Sequence, residues 1–458
     1  MHNIETMFFV LLNSKNNPMD TANKRIIADM KNFLMQISSH RDLWLSCVIS
    51  DKVFSRNRSL PFSTLVLLIL NLPKRSLSIE LKSFFAHINR KSCGKSAFCM
   101  QRAKLKPFFF RLWNSVLIKS FYEHYNDRVK RWKQFIVLAF DGSVFSLPNT
   151  QELRTIYGHT FAKGSERNSA AHGSVMYDVL NKLVVDSKLC AYLTSERYSV
   201  MEHLEHAPPN SLLTFDRGYP CFWLFYLLLQ QQHKFVMRAP AHYNNVVRLF
   251  LRSCEQDCIK AFCPKYDAIK QMQQMGITVT KETVLYLRLV KVPLKTGETE
   301  VLITNLFSSE QFSINDLKEI YFLRWGIETC FATLKNQLQI ENFSGIRRWC
   351  IEQDYFANLL VYNLQSIIEK QSEQSIFEKS SDRKYNYQVN KNLSLAFLKD
   401  RIVDLFLEEN SQQVLLELQA LFQQYLEPIR PNRTYPRIQK TNHANGKYHT
   451  LTNYKRAI

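Results

Sequence analysis

The sequence predicts a mixed α/β chain: a core of buried strands, a hairpin and helices, flanked by basic helical segments. Three observations carry this reading. Two apolar runs in the middle of the chain have the length and continuity of buried strands, and each meets an aspartate. The positive charge is gathered into two segments on either side of a nearly neutral middle. A long amphipathic segment after residue 313 repeats polar side chains at helical spacing.

The elements follow in order. Residues 63–72 form an apolar helix closed by Pro73, and residues 78–85 place apolar side chains at i, i+3 and i+4 behind Ser78 as N-cap. Lys95-Ser96-Ala97-Phe98 opens another helix, carrying Arg102, Lys104 and Lys106. Short helices with basic faces suit a helix-turn-helix-like reader of DNA. Residues 134–140 are apolar almost throughout and end in Asp141-Gly142-Ser143, a strand stopping at an acid. Residues 172–180 and 183–193 straddle Asn181-Lys182 as a hairpin. A second strand, 212–215, ends in Asp216-Arg217-Gly218-Tyr219. A helix over 222–229 and a strand over 235–237 follow, then a β-rich stretch with strands at 283–290 and 300–304. From Ile314 one helix runs to about Leu338, and a Gln/Glu/Ser-rich patch near 371–382 reads as a linker.

At 458 residues the chain is too long for one ordinary domain. Its 46% apolar and 22% charged composition excludes bulk disorder. Sixty Lys and Arg face only forty Asp and Glu, a net charge of +20. Residues 51–140 hold eighteen Lys and Arg against Asp51, Glu80, Glu123 and Asp127. From Pro428 onward seven bases meet no acid. Such lopsidedness points to a polyanion, nucleic acid before an anionic membrane surface. The apolar run around residues 65–70 is roughly half the ~20 residues of a membrane span. Residues 7–12 lack the basic flank of a signal peptide, and the scattered cysteines suit a reduced, cytoplasmic chain. Cys254, Cys258 and Cys263 lack zinc-site spacing, and His172, His203 and His206 lack a metal motif. Asp178, Asp186, Glu196 and Glu319 lie off any pattern and read as surface charges.

A carboxylate at the end of a buried strand is unfavourable unless a cation or hydrogen-bond donors compensate it. Asp141 and Asp216 are either turn formers beside glycine or ligands of a hard cation. Tyr321, Arg324, Glu328 and Lys335 fall within an arc of about 60° on an ideal helix, stacked over roughly 20 Å. One face then carries an aromatic ring, a guanidinium, a carboxylate and an ammonium. An Arg324–Glu328 surface pair is the plain alternative. For an enzyme acting on DNA, Glu328 completes a metal site while Arg324 and Lys335 hold phosphates.

The spacing Tyr321-x2-Arg324-x3-Glu328-x6-Lys335 resembles the signature of the insertion-sequence-four family of DDE transposases. Asp141-Gly142-Ser143 and Asp216-Arg217-Gly218-Tyr219 resemble that family's two aspartate motifs, 75 residues apart, with Glu328 a further 112 on. The resemblance implies a ribonuclease H-like catalytic core and a cut-and-paste transposase acting on double-stranded DNA, both the transposon terminal inverted repeats and the target. Asp141, Asp216 and Glu328 would hold Mg²⁺, with Mn²⁺ as substitute, and Tyr321, Arg324 and Lys335 would contact the transposon end. Trp325 occupies the place of a residue that stacks on a flipped base in some members, or else packs in the core. Residues 241–312 hold no Trp, so the aromatic wedge carried there by some members has no counterpart. The implied organisation is a helical DNA-binding domain over 1–130, a core over 131–240 and 313–368, a β-rich insertion over 241–312, and a helical, basic region over 369–458. A homodimer on DNA, without a membrane partner, is the expected working form. The alternatives are a ribonuclease H-like nuclease without strand transfer and an inactive DNA-binding relic.

Overall fold

Val137, Leu138, Ala139 and Phe140 offer no polar side chain to solvent, and all four are fully buried in strand β1 (Ile136–Ser146). They lie in the interior of an eight-stranded sheet in a computed structural model that describes residues 21–56, 59–71, 75–160, 168–294, 297–380 and 383–430. The other strands are β2 (Ala170–Asp178), β3 (Leu183–Ala191), β4 (Ser211–Phe215), β5 (Lys234–Ala239), β6 (Asp257–Phe262), β7 (Leu285–Pro293) and β8 (Thr299–Thr304). Their order is β3-β2-β1-β4-β5-β8-β7-β6, with β1, β4 and β5 parallel and β5, β8, β7 and β6 antiparallel. The β-rich stretch after residue 241 therefore extends the main sheet rather than folding apart from it.

The chain divides into two compact units. One takes Val129–Ser143 and His172–Phe331; the other takes the described residues of Met1–Arg128, Val144–Ala171 and Ala332–Ile458. In the first, helix Ile314–Leu323 lays Leu317, Ile320 and Tyr321 into a cluster with Val137, Leu212 and Val236. Each such fully buried aliphatic side chain contributes about 1.5–3 kcal/mol. The second unit is helical, built around the long helix Arg348–Lys370 with helices Phe62–Asn71, Phe108–Tyr125 and Lys391–Leu407 against it.

The sequence expectations need correcting in several places. β1 does not stop at Asp141 but runs on to Ser146, because β2 flanks it on one side after β4 has ended on the other. The helix predicted from Ser78 starts one residue earlier and has Ser76 at its N-cap position. The patch near 371–382 includes a helix, Glu373–Ser380, where a linker was expected. The single helix predicted over 314–338 is broken. It opens with a capping box between Ser313 and Asp316, stops at Leu323, resumes over Gly326–Ala332 and ends in a π-helical turn, Thr333–Gln337. Around the break, the amides of Arg324, Trp325, Ile327 and Glu328 bond three residues back rather than four. The ideal-helix phase linking Tyr321 to Lys335 does not survive these changes.

Arg102 is also not the exposed DNA contact its neighbours suggested. It is 1% exposed, bonded to Gln353 Oε1 at 2.6 Å, to the Cys350 carbonyl at 3.1 Å and to Asp354 at 2.7 Å. A planar fork with this many fixed acceptors locks one helix to another. Asp178 and Asp186, expected at the surface, are buried: Asp178 accepts from the Leu180 and Asn181 amides at the hairpin turn, and Asp186 from His203. His203 bonds Ser174 as well, a satisfied core histidine. Glu319 is exposed as expected. The apolar N-terminal run and the basic tail beyond Arg430 lie outside the described residues. Among the described residues no helix is long and apolar enough to cross a membrane.

Candidate active site

The register of β1 and β4 decides where the first two acids emerge. Phe140 pairs with Phe215, the last matched residues of the two parallel strands, and their rings stack at 4.7 Å. The next residue on each strand is an aspartate, so Asp141 and Asp216 leave adjacent strands at the same end, where parallel neighbours are about 4.8 Å apart. Each carboxylate then accepts a nearby amide: Asp141 that of Gly142 at 2.9 Å, Asp216 that of Gly218 at 2.7 Å. These bonds do not balance the charge. Burial pushes the Asp141 carboxyl up to about 7, and Glu196 and Asp216 add to the effect, against the Gly142 amide and Arg324.

Glu196, expected as a surface charge, packs instead beside Gly142 with its side chain partly exposed. It opens helix Glu196–Leu204, and its own carboxyl is raised by burial and then by Asp216. The next residue, Arg197, donates to the Gly218 carbonyl from Nε at 2.9 Å and Nη2 at 2.7 Å, tying the helix start to the Asp216 turn. His172 Nε2 lies 3.7 Å from Glu196. Gly142 is where this packing is tightest. A Cβ there would sit 2.2 Å from the His172 ring and 2.8 Å from Glu196 Oε1, so no side chain fits. Tyr219 is buried beside Glu196, its hydroxyl interacting with that carboxylate, and His172 Nε2 is buried without a hydrogen-bond partner. The one signal in the sequence was an acid opening the helix that joins β3 to β4.

Glu328 arrives from the broken helix. Arg324 Nη2 holds its Oε1 at 3.1 Å, and the same guanidinium acts on Asp141. Arg324 itself is buried, 5.7 Å above the Tyr321 ring. Tyr321 packs into the sheet core rather than facing outward, and burial lifts its hydroxyl to about 12. Trp325, at the break, is 48% exposed and so not a core residue. Lys335 lies in the π turn, where Nζ donates to the Val144 carbonyl at 2.6 Å and sits 4.9 Å from the Phe145 ring. Burial lowers its amine pKa.

Among the described residues no three His, Cys, Asp or Glu side chains are assembled as a metal cage. The donor chemistry of the two aspartates nevertheless fits a divalent ion. Asp141 and Asp216 present only oxygens, and the proton Asp141 keeps near neutral pH is the one such an ion would displace. A stability consequence follows from the same imbalance. The Asp141 carboxyl is protonated in the folded chain and ionised in the unfolded one between roughly pH 4 and 7. Folding stability is therefore lost as pH rises through that window, by on the order of a few kcal/mol in full. Asp141→Asn is expected to raise the melting temperature of the metal-free protein at pH 8 and to change it little at pH 4. Scanning calorimetry at both values checks this; an unchanged midpoint at pH 8 would contradict the strained carboxylate pair.

A family model described as a transposase DDE domain matches residues 132–364, just over half of the chain. No curated protein matches it. Among solved structures, a piggyBac transposase synaptic complex with hairpin DNA aligns over 94% of this chain and 87% of that one, at 11% identity and a TM-score of 0.40.

Proposed function

The chain belongs to the transposase DDE domain family, and on that premise we propose that it cuts the ends of a DNA element and joins them to a target. The observation that carries the reading is the placement of Asp141 and Asp216 at the same end of adjacent parallel strands, with Arg324, which bonds Glu328, acting on Asp141. The order β3-β2-β1-β4-β5, with acids where β1 passes and β4 ends, supports a ribonuclease H-like core over 131–240 and 313–368, with 241–312 as the insertion that widens its sheet. Asp141, Asp216 and Glu328 form the proposed triad, and Mg²⁺, or Mn²⁺ in its place, is the proposed ion. When bound, such an ion polarises the phosphate and lowers the pKa of a water or 3′-hydroxyl.

The protein's own part is position and charge. Asp141 and Asp216 are fixed by a strand register that admits little movement, which suits in-line transfer, where holding the reacting groups supplies most of the rate. Arg324 holds Glu328 in place, and its charge favours the ionised form of Asp141. Trp325, the residue after Arg324, presents an exposed ring suited to an unstacked base. Tyr321 supports Arg324 from below, and Lys335, held at the Val144 carbonyl, is proposed to add positive charge for the transposon-end backbone.

Residues 1–130 and the helical, basic 369–458 region are proposed to recognise the element's terminal inverted repeats, with the protein acting as a homodimer on them. The full-length protein is then expected to bind double-stranded DNA with a steep salt dependence. Six to ten phosphate contacts weaken binding by about 10³–10⁵ between 50 and 200 mM salt. Fluorescence anisotropy across that range checks it, and a flat dependence would remove the electrostatic basis of the reading. The function itself is tested by incubating the protein with its element's ends and a divalent salt. Cleavage followed by joining to a second duplex supports transposition, and cleavage alone indicates a nuclease.

A further inference from the structure

We propose that Arg197 is a positioning residue of this active site: its guanidinium fork holds the turn that aims the Asp216 carboxylate. The inference rests on the triad proposed above and deepens it, because a residue outside the family signature then sets the geometry of the second acid. The contacts run through one peptide plane, the one joining Gly218 to Tyr219. Its carbonyl accepts from Arg197 Nε at 2.9 Å and Nη2 at 2.7 Å. Its amide, that of Tyr219, bonds the Asp216 carbonyl at 3.3 Å. With that plane held on both sides, the Gly218 amide is directed at Asp216 Oδ1, 2.7 Å away. The carboxylate lies close against Gly218, where a Cβ would stand 3.1 Å from Oδ1.

The place of Arg197 in its own helix points to a task rather than to local stability. It sits in the first turn of helix Glu196–Leu204, where the free backbone amides disfavour a cation. Yet two of its donors close on a single carbonyl twenty-one positions away. The platform that delivers the fork is firm. The next residue, Tyr198, stacks on the Trp223 ring at 5.4 Å, and Trp223 is buried in the helix that follows the Asp216 loop. Tyr219 is buried too, its ring 5.3 Å from that of Phe215 on β4. Gly218 itself is exposed, so water could satisfy its carbonyl, but only a planar fork on a fixed helix also orients it.

The test uses the full-length wild type, Arg197→Ala, Arg197→Lys and Asp216→Asn. Amide hydrogen exchange of the peptide spanning residues 216–221 is followed by mass spectrometry in the metal-free, DNA-free protein, and Mn²⁺-dependent DNA cleavage is measured beside it. In Arg197→Ala, exchange in that peptide is expected to quicken about tenfold or more, and cleavage at saturating Mn²⁺ to fall about ten- to a hundredfold. The melting temperature should stay close to that of the wild type, because the helix start sheds an unfavourable cation as the bonds are lost. Arg197→Lys restores the charge without the fork and is expected to recover only part of the cleavage. Unchanged exchange in Arg197→Ala overturns the proposal, as does full cleavage in either Arg197 variant. Faster exchange across the whole chain with a lowered melting temperature assigns Arg197 to general stability and overturns it as well. Full cleavage in Asp216→Asn, or none in the wild type, instead removes the triad on which the inference rests, and the inference with it.

Discussion

Asp141→Asn, Asp216→Asn and Glu328→Gln are each expected to reduce DNA strand cleavage by about a thousandfold or more while leaving DNA binding at or above the wild-type level. The reasoning starts from charge. A divalent ion stabilises developing charge in phosphoryl transfer by several kcal/mol, and about 4 kcal/mol is a thousandfold in rate. Asn and Gln keep the volume and one oxygen but not the charge that attracts the ion. Binding behaves in the opposite way, because removing a negative charge near phosphate removes a repulsion. The three variants should differ in stability, which separates them further. Asp141 is strained in the metal-free chain and its replacement relieves that strain. Glu328 is half-exposed and satisfied by Arg324, so its replacement gains nothing. Cleavage and binding are measured on the same labelled duplex, by denaturing gel and by anisotropy. Near-normal cleavage in any one variant strikes that residue from the triad.

The two aspartates were legible in the sequence because a strand that must be buried on both faces leaves a continuous apolar run, and the first acid beyond it is conspicuous. The Tyr321–Lys335 spacing was visible from local periodicity too, but the single helical face it implied is broken at Arg324. What failed to show was set by tertiary contacts. Asp-Gly-Ser after residue 140 has the composition of a turn, yet β1 continues through it because a neighbouring strand remains alongside. No glycine or proline precedes Arg324, so nothing local announces that the helix stops at Leu323. Arg102 looked like a phosphate ligand by composition and is buried by acceptors some 250 positions away. Glu196 has no motif around it; only the meeting of its helix with the ends of β1 and β4 brings it beside Gly142 and ties Arg197 to Gly218.

Arg324 is where local pattern and tertiary structure meet, and its replacement is the second large effect expected. Arg324→Ala should lower cleavage by about a hundredfold with little net change in divalent-ion affinity. Two electrostatic consequences oppose each other at the metal. Losing the guanidinium removes a positive charge that would repel the ion, but it also removes a charge that helps keep Asp141 ionised. With Asp141 already near neutrality, holding its proton more tightly weakens ion binding at pH 7, and the two terms offset. Positioning has no such offset. Glu328 loses the donor that holds it at 3.1 Å, and a lost charged hydrogen bond is worth about 1.5–3 kcal/mol, or roughly ten- to a hundredfold. Arg324→Lys separates charge from geometry. It keeps the charge beside Asp141 but lacks the planar fork that bonds Glu328 and lies over the Tyr321 ring. Cleavage is therefore expected to fall nearly as far in the lysine variant as in the alanine one. Single-turnover cleavage and Mn²⁺ titration on both variants check this. Full activity in Arg324→Lys would reduce the role of Arg324 to charge alone.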